Sequence, residues 1–87
     1  MKTFVITAEI NKPYSEWKAG FDGHRAVREQ HGISEVYAGR IVDEQRVVVV
    51  LQAESQAALD DMMRAEADKI SATGHVVEST QIIVAES

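Results

Sequence analysis

Three histidines, one arginine and one glutamate are the side chains whose spacing could support chemistry. His24 and Arg28 follow the aromatic residues Trp17 and Phe21 at intervals of three or four, which places them along one face of a helix. At the border of a cleft, they could bind an anionic or carbonyl-bearing ligand. Alternatively, the second half of the helix turns to the surface, and His24, Arg28 and His31 lie near the negative end of the helix dipole.

Glu66 and His75 are the remaining candidates for acid/base chemistry. Glu66 interrupts an apolar helical stripe between Met63 and Ile70, where it either lies on a rim or pairs with His24 or Arg28 of the first helix. His75 follows the end of the second predicted helix, where its imidazole could act as a base, contact a ligand or cap that helix. The candidate catalytic groups are therefore His24, Glu66 and His75.

A ligand pocket would draw on aromatic, cationic and imidazole side chains from several elements. The candidate ligand-binding residues are Trp17, Phe21, His24, Arg28, Tyr37 and His75. Met62 and Met63 could give such a pocket adaptable walls. The alternative is that aromatic and methionine side chains at helical spacing form an ordinary core.

The period of the apolar residues predicts the elements of the first half. Residues 2–10 alternate as in a β-strand, and residues 13–30 repeat at helical spacing after Pro13, which suits a first helical turn. Gly20 and Gly23 weaken this helix by up to about 1 kcal/mol each relative to alanine, which predicts a kink or break near Asp22. Gly32 is expected to end the helix.

The second half shows a similar succession of patterns, although no internal repeat is apparent in the sequence. Residues 33–42 and 45–53 are rich in β-favouring residues and predict two antiparallel strands joined by a tight turn at residues 43–44. Ser55 predicts the N-cap of a second helix, and Gly74 predicts its end. Residues 75–85 are expected to form the last strand.

Two β-α-β units joined by a hairpin predict a ferredoxin-like α+β fold for residues 1–87, as a single domain. The sheet would have four antiparallel strands, with the first and third in the centre and both helices on one face. The unbroken apolar run of residues 47–51 indicates that both faces of the third strand are covered. A second copy of the sheet is the simplest cover for the face without helices, which predicts a homodimer. Alternatively, β propensity selected valine at exposed positions.

Composition argues against several classes of function. The chain has 14 acidic and 9 basic side chains and a formal charge of −5, so we expect neither nucleic-acid nor membrane binding. It contains no cysteine, and its histidines lack metal-ligand spacing, so we expect no metal and no cofactor. Phosphate-binding and hydrolase motifs are missing, as are a secretion signal and a long apolar segment, and we expect a cytoplasmic protein.

The order of several short motifs resembles a small bacterial and cyanobacterial domain family of unknown function. These motifs are Trp17 … Phe21-Asp22 … Arg28 … Gly32-Ile33, the run Val47 to Leu51, and Thr73-Gly74-His75 … Ser79-Thr80. That family is grouped with the dimeric α+β barrels, which include antibiotic-biosynthesis monooxygenases, muconolactone isomerase and stress-responsive barrel proteins. The resemblance covers nearly the whole chain and implies the dimeric α+β barrel fold.

These observations leave two main classes of function open. The first is a dimeric small-molecule-binding or accessory module without covalent chemistry. The second is a cofactor-free monooxygenase or isomerase of a small aromatic or carbonyl compound, with His75 or His24 as base and Arg28 as anion holder. A structural interaction domain is a third alternative, which would lack an internal cavity. The enzyme hypothesis requires these side chains to converge on one pocket.

Overall fold

A computed structural model describes residues 1–42 and 45–86 of the chain. The elements are β1 (Lys2–Glu9), α1 (Tyr14–Gly23), α2 (Arg25–Gln30), β2 (Ser34–Arg40), β3 (Arg46–Ala53), α3 (Gln56–Ala65), α4 (Ala67–Ala72), a 3-10 helix (Val77–Ser79) and β4 (Gln81–Glu86). The predicted turn at Asp43 and Glu44 lies outside the described residues. No helix within the described ranges has the length and apolar character required to cross a bilayer.

The four strands form one antiparallel sheet in the order β2-β3-β1-β4. The prediction of the ferredoxin-like fold, with β1 and β3 in the centre, is therefore confirmed. Phe4 pairs with Leu51 on one side and with Val84 on the other, and this register keeps the apolar residues of the central strands on a common face. That face packs against the helices.

The core lies between the helices and the inner face of the sheet. Alternate residues of β3 are buried, as expected for a strand with one covered face. The buried apolar residues are Phe4, Ile6, Ala8, Ile10, Trp17, Ile33, Val47, Val49, Leu51, Ala53, Leu59 and Met62. The outer face of the sheet carries the other half of the valine run, and Val48 and Val50 are half-buried there.

Each helical layer consists of two helices separated by a single residue. The predicted break in the first layer is confirmed and lies at His24, between α1 and α2. The second layer breaks at Glu66, between α3 and α4. Ser55 caps α3 as predicted, because its Oγ accepts a hydrogen bond from the backbone N–H of Ala58 at 3.3 Å.

The two layers have matching dimensions along the chain. Each has a helix of ten residues, one intervening residue and a helix of six residues. The N-caps at positions 13 and 55, the breaks at 24 and 66, and the positive-φ glycines at 32 and 74 are all separated by 42 residues. Gly32 and Gly74 have φ values of 72° and 100°, which explains why glycine ends both layers. The fold thus contains a structural repeat.

The last predicted strand begins later than the sequence pattern indicates. His75 forms only an isolated bridge with Ile10, and Val77–Ser79 forms a 3-10 helix before β4 starts at Gln81. Ser79 stabilises this connection, because its Oγ donates to the Val76 carbonyl and accepts from the backbone N–H of Glu9, at 2.6 and 2.7 Å. The prediction of a continuous strand over residues 75–85 was therefore wrong.

Candidate functional site

An apolar cleft of about 80 Å³ lies between the sheet and both helical layers. Its lining residues are Ile6, Trp17, Phe21, His24, Val27, Arg28, Val49, Leu51, Leu59, Met62, Met63, Glu66, Ile70, Thr73 and His75. The strand residues, together with Trp17, Leu59 and Met62, are buried and form the floor. The half-buried residues form the rim, which carries His24, Glu66, Thr73 and His75. A cleft of this size suits a compact ligand rather than a large cofactor.

Aromatic side chains of α1 pack together where the floor of the cleft meets the first helical layer, and this cluster forms the wall on that side. Trp17 is only 2% exposed, and its ring is stacked on Phe21 with 5.1 Å between centroids. Tyr14 packs against Trp17 outside the cleft lining, with the two rings tilted by 34° and their centroids 5.7 Å apart. Offset aromatic contacts of this kind contribute about 0.5 to 1.5 kcal/mol beyond the burial of their area. The wall is therefore rigid enough to present a defined surface to a ligand.

Arg28 lies behind this wall and is itself only 4% exposed. Its guanidinium carbon is 3.8 Å from the centroid of the Phe21 ring. Nη1 donates to the Phe21 carbonyl at 2.8 Å, and Nη2 donates to Glu35 at 3.2 Å. Burial lowers the pKa of Arg28 and the charge of Glu35 opposes this shift, while Nε is buried without a partner among the described residues. Arg28 thus anchors α2 to β2, so the alternative that this half of the helix drifts to the surface does not hold for Arg28.

The two helix breaks bring a histidine and a carboxylate to the rim of the cleft. His24 stands between α1 and α2, and Glu66 stands at the equivalent place between α3 and α4. Glu66 pairs with Lys69 at 3.4 Å, and its side chain is 19% exposed. The carboxylate therefore occupies the rim, in agreement with the simpler of the two expectations, and its ionic partner comes from its own helix layer.

His75 enters the cleft from the connection that precedes β4. Its Nε2 lies 2.7 Å from the Thr80 hydroxyl, and burial lowers the pKa of the imidazole below its usual value of 6.5. Of the three alternatives for His75, capping of the second helix does not hold, because the imidazole bonds to Thr80. The carbonyls of that helix end are satisfied instead by Thr73, which donates to Ile70 at 2.6 Å, and by Lys12, which donates to Ala72 at 2.8 Å.

Tyr37 does not line this cleft. The ladder between β2 and β3 shifts register at Val36, so that Glu35 opposes Leu51 on the inner face while Tyr37 opposes Val50 on the outer face. Tyr37 is 56% exposed there, and its ring covers Gly39. The structure therefore brings together five of the six predicted ligand-binding residues, and it brings in all three candidate catalytic groups.

Several cleft residues were missed by the sequence analysis. Val27, Ile70 and Thr73 line the rim from three different helical turns. Thr73 approaches α1 so closely that a Cβ at Gly20 would lie 2.6 Å from its methyl carbon. The pairing of a glycine with a β-branched residue 53 positions away gives no local signal. His31, by contrast, caps α2 through its backbone and lies outside the cleft lining.

Metal binding finds no support in the side chains of residues 1–42 and 45–86. No three histidine, aspartate or glutamate side chains within these ranges come together in an arrangement that could hold an ion. The polar groups of the cleft consist of imidazoles, a hydroxyl, the buried guanidinium and one carboxylate paired with lysine. Such a set can bind and orient an uncharged ligand and can exchange a proton with it.

Solved structures with the same fold include proteins described as oxygenases. A candidate antibiotic biosynthesis monooxygenase from Bordetella bronchiseptica shares 16% identity over 99% of this chain and 95% of its own, with a TM-score of 0.77. Another, from Nitrosomonas europaea, shares 14% identity over 100% and 98% of the two chains, with a TM-score of 0.59. A dimeric ferredoxin-like protein from an uncultured marine organism shares 6% identity over 100% and 91%, with a TM-score of 0.50.

At these identities the similarity establishes the fold alone. None of the curated proteins matches the chain in sequence. Comparison with protein families gives a match that extends over residues 1–86. The protein therefore belongs to the family described as domain of unknown function DUF3764.

Proposed function

We propose that this protein is a homodimeric domain that binds a small, uncharged ring compound in the cleft between its helices and its sheet. The observation that carries the proposal is the segregation of the cleft lining. Apolar and aromatic side chains form the floor, and the imidazole, hydroxyl and carboxylate groups are confined to the rim. This is the usual arrangement of a small-molecule site, in which the apolar area supplies affinity and a few polar groups orient the ligand.

Charge in the cleft supports a neutral ligand. The guanidinium of Arg28 is already paired with Glu35, and Glu66 is only partly balanced by Lys69, whose side chain is 66% exposed. An anionic ligand would therefore bring an uncompensated charge into an apolar environment, which is costly. A neutral compound with one or two polar substituents avoids that cost.

Intrinsic fluorescence provides a direct test of binding, because Trp17 is the only tryptophan of the chain and lines the cleft. We expect saturable changes in its emission with small aromatic probes such as phenol, anisole and acetophenone. A probe at 100 times its dissociation constant should also stabilise the fold by about 2.7 kcal/mol. Ile70→Phe, which adds bulk at the rim, should weaken binding, and Tyr37→Phe on the outer face should leave it unchanged. Unsaturable responses with the whole panel would refute the binding function.

The outer face of the sheet supports the homodimer. Val5, Tyr37, Val48, Val50 and Ile83 form a continuous apolar strip across the four strands, and Ile83 is 66% exposed in the single chain. Contiguous apolar residues on a sheet face are typical of an interface rather than of a free surface. The marine structure of the same fold is described as dimeric, which agrees with a second copy as the occupant.

Adjacent residues of β4 offer a matched test of this interface. Ile83 faces outward and Val84 faces the helices. Ile83→Lys should convert a dimer into a monomer in light scattering, whereas Val84→Lys should leave the dimer intact. A wild-type protein that is monomeric at micromolar concentration, or a dimer that survives Ile83→Lys, would exclude this interface.

One observation favours a second candidate function, the cofactor-free oxidation or isomerisation of a carbonyl compound. His75 presents an imidazole to the cleft, and burial lowers the pKa of this group, so that it is unprotonated at pH 7 and able to accept a proton. As base, it would remove a proton from a CH₂ group beside a carbonyl. The resulting carbanion would be oxidised by dissolved O₂, which would leave one oxygen atom as a new carbonyl and the other as water. In an isomerase, the proton would return to another carbon.

Proton exchange separates this activity from simple binding. In D₂O, the protein should accelerate deuterium incorporation beside the carbonyl of 1-indanone, and His75→Gln should lower the rate by about 10² to 10⁴. His24→Gln serves as the control for the other imidazole at the rim. A rate that does not depend on His75, in a protein that still binds the ketone, would leave binding as the function. Consumption of O₂ during turnover would distinguish the oxygenase from the isomerase.

A further inference from the structure

Within residues 1–42 and 45–86, the side chain of His75 forms a single hydrogen bond, and its partner is Thr80. The distance between its Oγ1 and the Nε2 of His75 is 2.7 Å. The contact lies within one segment, since the partners are five positions apart and the 3-10 helix Val77–Ser79 lies between them. This segment is tied to the end of β1 by the bond from the Val76 N–H to the Glu9 carbonyl, at 2.9 Å. The orientation of the imidazole is therefore set by a short and well-anchored loop.

The other ring nitrogen of His75 remains available. Nδ1 has no hydrogen-bond partner among the described residues. It is not buried either, because Arg28 Nε is the one buried polar side-chain atom without a partner in that part of the chain. Because His75 lines the cleft and Nε2 is occupied by Thr80, Nδ1 is the nitrogen left to meet a ligand. The Thr80 hydroxyl can accept a proton from Nε2 or donate one to it, and the tautomer of His75 follows from which of these bonds forms.

We infer that Thr80 is a positioning residue that receives the Nε2–H of His75 and thereby presents an unprotonated Nδ1 to the cleft. The ligand that suits this atom is a neutral ring compound with an O–H or N–H donor. The proton on Nε2 agrees with the intrinsic preference of neutral imidazole for that tautomer. The inference concerns the ligand class of the proposed binding site, and for that part it rests on the proposed function.

The arrangement also gives two polar groups at the rim of the cleft a role in ligand binding. Nδ1 accepts a hydrogen bond from the ligand. The carboxylate of Glu66, at the break of the second helical layer, offers a second acceptor. Two acceptors in an otherwise apolar cleft favour a donor-bearing ligand over an ether or a carboxylate of the same shape. Phenol and anisole, which differ by the methyl group that removes the donor, form a matched pair of probes.

Nitrogen-15 NMR of the ligand-free protein tests the role of Thr80 independently of any ligand. The wild type at pH 7 should show the shift of an unprotonated nitrogen at Nδ1 of His75 and of a protonated one at Nε2. Thr80→Ser keeps the hydroxyl and should keep this pattern, whereas Thr80→Val should give a mixture of both tautomers. A protonated Nδ1 in the wild type would overturn the inference even if a variant failed to fold.

The ligand class is tested by the ratio of the dissociation constants of anisole and phenol, measured through Trp17. A hydrogen bond to Nδ1 should favour phenol by about two- to tenfold in the wild type and in Thr80→Ser. Thr80→Val should lower this preference toward that of His75→Phe. An equal ratio in all four proteins would overturn the ligand assignment while leaving the binding function intact. If neither probe bound, the proposed function and the ligand assignment would fall together, and the tautomer result would stand alone.

Discussion

The two helical layers have the same lengths and the same break, yet they are held against the sheet by different means. In the first layer, Arg28 fixes α2 through Phe21 and Glu35, and the chain re-enters the sheet at the buried Ile33. In the second layer, α4 has no buried residue, and the equivalents of Arg28 and Ile33 are Ile70 and His75. Both layers line the cleft, but within the described part of the chain only the first is anchored to the sheet by a partly buried ion pair.

The largest expected difference between the layers is at the equivalent positions 28 and 70. Arg28→Ala removes two hydrogen bonds and leaves Glu35 without its closest cation, which should lower the free energy of unfolding by about 3 kcal/mol. Ile70→Ala removes a half-buried side chain and should cost about 1 kcal/mol. Urea unfolding measures both. Equal losses would show that the two layers are anchored alike.

The contact between the layers should give the next largest effect. Gly20→Ala would bring a Cβ within 2.6 Å of the Thr73 methyl carbon and should cost about 1 to 2 kcal/mol, despite the better helix propensity of alanine. Thr73→Ser in the same protein removes the methyl group and should restore most of the stability. Gly23→Ala meets no atom within 4 Å and serves as the control. If Gly20→Ala and Gly23→Ala behave alike, the layers are not in firm contact.

The start of the second layer depends on a side-chain cap that the first layer lacks. Ser55 accepts the Ala58 N–H, whereas Pro13 has no side chain to accept such a bond. Ser55→Ala should therefore cost about 1 kcal/mol in thermal unfolding. Ser15→Ala, at an exposed position of α1, should change stability by less than about 0.5 kcal/mol. A similar loss in both variants would argue that the cap contributes nothing specific to α3.

The smallest effect is the pH dependence that His75 gives to the second layer. Burial lowers the pKa of His75 in the folded protein below its usual value of 6.5, so the unfolded chain binds the proton more readily. The stabilising contribution of the neutral imidazole is complete above pH 6.5 and decreases as the pH falls below that value. His75→Gln should flatten this decrease, and His31→Gln should keep it. Because His24 and Glu66 also line the cleft, the difference between wild type and His75→Gln is the quantity to follow.

The arrangement of the elements could be predicted from sequence because each has a local signal. The alternating apolar residues of β1 indicate a strand with one covered face, and Ser55, Gly32 and Gly74 lie where helices begin or end. The break at His24 was foreshadowed by two nearby glycines. The break at Glu66 has no glycine beside it, and only the structural equivalence with His24 reveals it.

The candidate site was predicted in part, and the errors have physical causes. The register shift at Val36 moved Tyr37 to the outer face, because one extra residue in a strand inverts the side chains that follow. Arg28 became a buried anchor because Glu35, seven residues later, returns on the adjacent strand. The structural repeat was invisible in sequence, since Trp17 corresponds to Leu59 and His24 to Glu66, and these pairs share burial or position but not residue type.

The pairing of the strands has a consequence for how the molecule folds. β1 pairs with β3 and β4, and β2 pairs with β3, so every ladder of the sheet joins a strand from before residue 43 to a strand from after residue 44. Neither segment can therefore complete a ladder by itself. Local opening of one half would expose the strand edges of the other. We therefore expect amide hydrogen exchange in β1 and β3 to report a single, global unfolding event rather than the separate unfolding of two regions.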